Sequence, residues 1–254
     1  MAKVEKRTPI MFDTHCHLGF GENDADTAHA LPDARFVCMT CDPRELAAWR
    51  ARFTHAPNVS VAPGLHPRWI AKGACGEDEC ELLCQLAERE RIIGEVGLDF
   101  LGCYADSAMQ QSVAFERITG TCAALGDKVI SIHALRSASA VLDALCHHRA
   151  HERCACIMHW FSGSSEELHR AIRMGCWFSV NDRMLASGKG REYAKVIPAS
   201  RLLLESDLPA QPGDGAGPEQ MRESLERALG LLETIRRQPC AQTCLDNALA
   251  LFGR

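Results

Sequence analysis

Arg91-Ile92-Ile93-Gly94-Glu95-Val96-Gly97-Leu98-Asp99 is the stretch on which the fold turns. The run Arg91–Val96 is apolar and β-branched, which marks a buried strand, and it carries Glu95 at its end. A helical pattern follows at Ser107–Leu125. Then comes a second apolar run, Val129–His133, which ends in a histidine. Strand, helix and strand at this spacing make one crossover unit of a parallel sheet.

Outward from this unit the same alternation recurs. Apolar runs occupy Ile10–Asp13, Arg35–Thr40, Val59–Gly64, Cys156–His159, Trp177–Val180 and Leu202–Ser206, giving eight in all. Helical patterns lie between and after them, at Pro43–Phe53, Glu77–Arg89, Ala138–His147, Ser164–Met174, Arg191–Val196, Glu219–Arg237 and Leu245–Phe252. In Glu219–Arg237, Met221, Leu225, Leu229, Leu232 and Ile235 keep one apolar face. Eight repeats in 254 residues fit an α/β fold of the closed (β/α)8 TIM-barrel type, spanning residues 1–254 as one domain. The Gly-x-Gly-x-x-Gly fingerprint of dinucleotide folds is absent after the first run. Ala210–Pro218, rich in Gly and Pro, reads as a loop.

Composition narrows the class. The net charge of −5 argues against a protein that coats nucleic acid, but leaves room for an enzyme with a local basic rim. Met1–Pro9 is charged and has no apolar stretch of signal type, and no apolar run approaches membrane-spanning length. Fourteen cysteines without an export signal point to free thiols and a cytoplasmic setting. Cys75, Cys80 and Cys84, and the pair Cys154 and Cys156, lack the spacing of a zinc ribbon and read as core filling.

The chemistry collects at strand ends, which in a barrel form the catalytic face. His15 and His17 end the first strand, two residues apart and therefore on one side. Cys16 between them points away. Glu95 ends the fourth strand, His133 the fifth and His159 the sixth; Asp207 follows the eighth. Imidazoles and carboxylates are the ligand set of a hydrolytic metal centre. Two divalent ions about 3.5–4 Å apart need an anionic bridge, for which Glu95 is the candidate. His15, His17 and Asp207 would complete one ion, His133 and His159 the other, with zinc or manganese favoured over magnesium. Asp207 is also read as the catalytic proton acceptor, beside the bridging Glu95. Glu205, one layer deeper, is expected to hydrogen-bond His15 or His17.

His66 has no vacancy in this scheme and is read as a contact for substrate phosphate. Arg68, Trp69 and Lys72 follow it, with the indole placed to stack on a base. Asp182–Glu192 reads as a flexible loop in which Arg183, Lys189 and Arg191 meet phosphate. Trp160 is expected to face away from the site, Asp99 to cap a loop, and His147, His148 and His151 to be solvated.

These residues resemble the TatD family of metal-dependent DNases. Phe12-Asp13-Thr14-His15-Cys16-His17-Leu18 is similar to the family's opening motif. Gly64-Leu65-His66-Pro67, Gly94–Asp99 and His159–Ser164 are similar to the next ones, and Leu202–Pro209 to the closing one. Asn247 to Phe252 resembles its C-terminal Asn-x4-Phe. Two departures occur: Ala134-Leu135-Arg136 follow His133 where a small polar residue and an Arg are usual, and Arg117 replaces a common Gln. Arg136 is the substrate-contact candidate at this position. Ile130–His133, His159-Trp160-Phe161 and Gly175–Val180 look closest to the TatD-like nuclease of Qat anti-phage systems.

The resemblance implies metal-dependent phosphodiester hydrolysis, typically 3′-to-5′ on single-stranded DNA, with RNA as the neighbouring substrate class. The alternatives are a D-aminoacyl-tRNA deacylase or another two-metal ester or amide hydrolase, and a partner-binding subunit of a defence complex.

Overall fold

A computed structural model describes residues 11–21 and 24–253. The charged stretch Met1–Pro9 and the expected strand residue Ile10 lie outside the described residues. Eight strands form in chain order: β1 (Met11–Cys16), β2 (Ala34–Met39), β3 (Val59–Ala62), β4 (Ile92–Asp99), β5 (Val129–Leu135), β6 (Ala155–His159), β7 (Trp177–Val180) and β8 (Leu202–Leu204). All paired neighbours are parallel, in two ladders of three and five strands, β1–β3 and β4–β8.

Two seams join the ladders. At one, Leu65 N–H donates to Glu95 O at 2.9 Å and Gly94 N–H to Pro63 O at 2.6 Å. At the other, Asp207 N–H donates to His15 O at 3.0 Å and His17 N–H to Leu208 O at 2.7 Å. Ser206 N–H adds a bond to the Asp13 carboxylate at 3.0 Å. The result is a TIM barrel.

The alternation of side chains fills it in layers. Val37, Met39, Ala62, Val129, Ile157 and Leu203 pack inside, with Ala248 and Leu251 of the C-terminal helix Ala241–Phe252. Asn247 fixes that helix by donating to Ala199 O and Leu202 O, both at 2.8 Å. The opposite strand faces, with Ile93, Ile130, Ile132, Met158 and Phe178, meet the outer helices.

Strict alternation would not bring the site residues inward. Phe12 faces the inner cluster, so His15, three residues on, should face out; in β4, Ile93 and Val96 both face out. A register shift between Asp13 and Cys16 in β1, and another between Ile93 and Glu95 in β4, reset the parity. An extra residue of this kind re-aims whatever follows it.

Two expectations are corrected here. Asp182–Glu192 is not a loop but two helices, Asp182–Ala186 and Gly188–Val196. The side chains of Asn181 and Ser187 accept from Met184 N at 2.8 Å and Gly190 N at 2.9 Å, which starts each helix. A Cβ on Gly190 would lie 2.0 Å from Met184 O, so this glycine serves close packing rather than flexibility. His147, His148 and His151 are not uniformly solvated: His148 meets Glu116 at 2.5 Å and His151 Nδ1 donates to Leu145 O at 3.1 Å. Among the described residues no helix is long and apolar enough to cross a membrane.

Candidate metal centre

Glu95 stands at the middle of the barrel mouth, buried, with five imidazoles around it. Its two oxygens face different neighbours. Oε1 lies 3.1 Å from His66 Nε2, 2.9 Å from His133 Nδ1 and 3.1 Å from His159 Nε2. Oε2 lies 3.3 Å from His17 Nε2 and 3.7 Å from His15 Nε2. Asp207 Oδ1 closes that second side, 3.5 Å from His17 and 3.9 Å from His15. Burial alone would raise the Glu95 carboxyl, but the imidazoles of His66, His133, His15 and His159 hold it well below the usual carboxylate range. Burial likewise opposes ionisation of Asp207, yet His17, His159 and His15 draw it down to about 2.

The far side of each ring decides which nitrogen is free. His17 Nδ1 donates to Met39 O at 3.0 Å. His133 Nε2 donates to Asp99 Oδ2 at 3.1 Å, and His159 Nδ1 to Glu205 Oε1 at 3.4 Å. His15 Nδ1 bonds Ser131 Oγ at 2.7 Å. A ring nitrogen that donates outward leaves the other with its lone pair toward the site, as in metal-binding histidines. His66 is the exception. Its Nδ1 accepts from Arg68 N–H at 3.0 Å, and burial lowers its pKa to about 4. The neutral ring then carries its proton on Nε2, and it donates to Glu95.

The donor set suits divalent cations. Four imidazole nitrogens and the Glu95 and Asp207 carboxylates converge, and buried Glu95 Oε2 has no hydrogen-bond partner among the described residues. His15, His17 and Glu95 place ligand atoms within 4.8 Å of one another, as do His66, Glu95 and His133.

Supporting residues lie around this centre. Glu205 bonds not His15 or His17 but His159, with Asn181 Nδ2 at 2.9 Å and the Ser179 hydroxyl as further donors. The parity of β6, β7 and β8 sets His159, Ser179 and Glu205 in one layer, while Ser131 occupies the place beside His15. Asp99 does cap a loop, accepting from Leu101 N at 2.9 Å, but its other oxygen holds His133 and Arg68 Nε at 2.7 Å. Burial would raise Asp99; His133, the Leu101 amide and Arg68 bring it to about 2.

A cleft of about 310 Å³ opens above the centre, lined among others by Phe20, Cys41, His66, Arg68, Trp69 and Trp160. Trp160, expected to face away, lines it because its backbone turns to φ 39° directly after β6. The Phe20 and Trp69 rings are parallel, 6.3 Å between centroids. Phe20 and Cys41 escaped sequence reasoning; Cys41, two residues beyond inward-facing Met39, could have been found by alternation. Arg183 does not reach into the cleft. Its Nη2 donates to Asp207 Oδ2, Asp207 O and Ser206 O, each at 3.0 Å, and its guanidinium lies 4.4 Å from the Trp160 ring centre. Lys189 Nζ donates to Ser162 O at 2.8 Å and Arg191 Nε to Leu185 O at 3.2 Å, so neither lines the cleft. Arg136 follows β5 at φ 56°, exposed and without a polar partner among the described residues.

Comparison with known proteins agrees with this architecture. The family described as TatD related DNase matches residues 12–253. An uncharacterized metal-dependent hydrolase of Escherichia coli K12, YjjV, is 27% identical over 257 residues, covering 95% of this chain and 97% of that protein. The crystal structure of YjjV, a TatD homolog, superposes with a TM-score of 0.81, at 25% identity, over 98% of this chain and all of that one. A 3′-5′ ssDNA/RNA exonuclease TatD from Pantoea ananatis is 32% identical over 151 residues, covering 58% of this chain and 56% of that protein.

Proposed function

The chain belongs to the TatD-related DNase family of metal-dependent hydrolases, and from that premise we propose that it trims single-stranded DNA from the 3′ end with two divalent ions. One observation carries the ligand assignment: four imidazoles have their outer nitrogens tied and their inner ones aimed at the two oxygens of one carboxylate. In this reading His15, His17 and Asp207 would hold one ion, His133 and His159 the other, and Glu95 would supply the shared negative charge between them. Bound there, zinc, manganese or magnesium would polarise a phosphoryl oxygen and lower the pKa of water.

The chain's own groups then divide the work. Arg183 occupies Asp207 Oδ2, so only Oδ1 faces the site; one of its lone pairs would face the ion and the other would take the proton of an attacking water. His66 Nε2–H donates to a substrate phosphoryl oxygen once it leaves Glu95. Arg68 lines the cleft and exposed Arg136 directly follows the lining residue Leu135, so either could meet a flanking phosphate, and Trp69 with Phe20 offers ring faces to a base. The small cleft suits one nucleotide at a strand end, in keeping with the exonuclease named among the relatives. Lys189 and Arg191, away from the lining, would serve only longer strands. All fourteen cysteines are free, which suits a reducing, cytoplasmic setting. A role in anti-phage defence belongs to the same proposal and rests on the motif details alone; loss of protection in the Glu95→Gln strain would support it.

The test is a 5′-labelled single-stranded oligonucleotide incubated with protein loaded with each ion. A ladder of shortening, still-labelled products is expected, with two ions per chain by elemental analysis. Intact DNA under every loading, with release of the amino acid from D-aminoacyl-tRNA in parallel, would overturn the nuclease in favour of an ester hydrolase.

A further inference from the structure

The opposite end of the barrel carries a second cleft, of about 790 Å³. Its cations follow a rule legible in the sequence. Arg91 directly precedes β4, Lys128 precedes β5, Arg153 lies two residues before β6, and Arg201 directly precedes β8. Arg170 and Arg173 join them from the last turn of the helix Ser165–Arg173. Helix C-termini lie at this end and attract cations. That accounts for single residues, but not for six Arg or Lys around one opening in a chain of net charge −5.

Few of these charges are neutralised. Among the described residues only two carboxylates line the cleft, and both are engaged: Asp127 with Arg91 at 3.4 Å and Glu152 with Arg149 at 2.6 Å. Arg170 pairs with Asp143 at 2.7 Å. Arg153, Arg173 and Arg201 have no carboxylate within ion-pair distance among the described residues. Trp177 opens β7 inside the same cleft, and the Arg201 guanidinium lies 4.5 Å from its ring centre. A guanidinium held over an indole is ordered in advance and can meet phosphate at low entropic cost.

We propose that this basal cleft is a second binding site, for the phosphate backbone of a single-stranded nucleic acid. The spread of charge selects the ligand. From β4 to β8 the cations cover four strand spacings, an arc of roughly 20 Å, which outreaches one phosphate or one mononucleotide. The choice of a nucleic acid over another polyanion rests on the nuclease reading above. Bound here, a long substrate is held at the end of the barrel remote from the metal centre, and its affinity rises without change at the reacting bond.

The experiment measures binding apart from turnover. Wild-type protein and an Arg173→Glu, Arg201→Glu variant are titrated with labelled (dT)20 over a range of salt. About tenfold weaker binding is expected, with a salt slope shallower by about 1.4, since each phosphate contact on a single strand contributes about 0.7. Because Arg201 packs on Trp177, an Arg153→Glu, Arg173→Glu variant serves as the second test, with the same expectation. Unchanged affinity and slope in both variants would overturn the site. So would displacement of (dT)20 by ATP at equal phosphate concentration, which would mark a nucleotide pocket. Hydrolysis of bis(p-nitrophenyl) phosphate, expected to be equal in all three proteins, reads the proposed reaction separately.

Discussion

Asp207 sits at φ 52°, a left-handed conformation that Asp and Asn tolerate better than other side chains. Asp207→Asn therefore keeps the backbone, but its single amide oxygen can serve either Arg183 or the site, so the variant removes the charge and the proton acceptor and puts one ligand oxygen in competition with the Arg183 contact. A loss in kcat of at least about 10²-fold is expected, with substrate binding less affected. Near wild-type turnover with metal content intact would show that the proton goes elsewhere. The two kinds of histidine predict a contrast. His133→Ala should remove metal, because its Nδ1 lone pair faces Glu95 while Asp99 holds its other side. His66→Ala should leave metal stoichiometry unchanged and slow the reaction, because Nε2 carries a proton. Elemental analysis of both variants decides. Asp99 adds a pH signature: its carboxyl falls from an ordinary 3.8 to about 2 on folding. A depressed folded-state pKa gives stability that is present above pH 4 and lost as the pH falls through 2. Asp99→Asn should thus cost roughly 2 kcal/mol at neutral pH, and the difference from wild type should shrink toward pH 2 in denaturant titrations.

Among the elements, β4 is the most constrained. Gly97 stands at φ 143°, and a Cβ there would lie 2.0 Å from His133 O. Gly97→Ala must push β5 away from β4 between Glu95 and Asp99. A loss of at least about 3 kcal/mol is expected in thermal or urea unfolding, together with weakened metal uptake. A stable, fully loaded variant would show that the strands can separate locally at little cost. Strand and helix periodicity was strong enough in the sequence to place β7 and the helix Ala138–His147 at their observed bounds, and the other strands within a few residues. The ligand types at strand ends were equally visible. What periodicity could not show were the two register shifts, because an extra residue has no local signature when its neighbours are all apolar or small. Nor did it reveal the partner of Glu205, which depends on how strands far apart in sequence are layered. The helices Asp182–Ala186 and Pro67–Ala71 were missed because each is a single capped turn, too short for an amphipathic repeat.

At the scale of the whole molecule, stability and cofactor are linked. Buried carboxylates and imidazoles converge from β1, β4, β5, β6 and the end of β8, and an ion that binds only the folded chain stabilises it. At a hundred times Kd one ion adds about 2.7 kcal/mol, roughly 5–10 °C in a chain of this size. Chelation should lower Tm by that amount and zinc or manganese should restore it. An unchanged Tm would mean that no ion of this affinity is bound. The two seams give that linkage a location. His17 and Asp207 face each other across the junction of β1 with β8, and Glu95, on β4 beside its junction with β3, reaches His17 of the three-strand segment. An ion shared by these side chains would work as a clasp on a split ring. It would tie the three-strand segment to the five-strand segment where the backbone ladder is thinnest. Amide exchange at Leu65, Gly94, His17 and Asp207 should then be the local gauge of occupancy: quick when the clasp is open, slow when it is shut. A protein fastened this way would lose its shape first at the very edges that hold its reagent, and starvation for metal would expose it to proteolysis along two lines rather than at random.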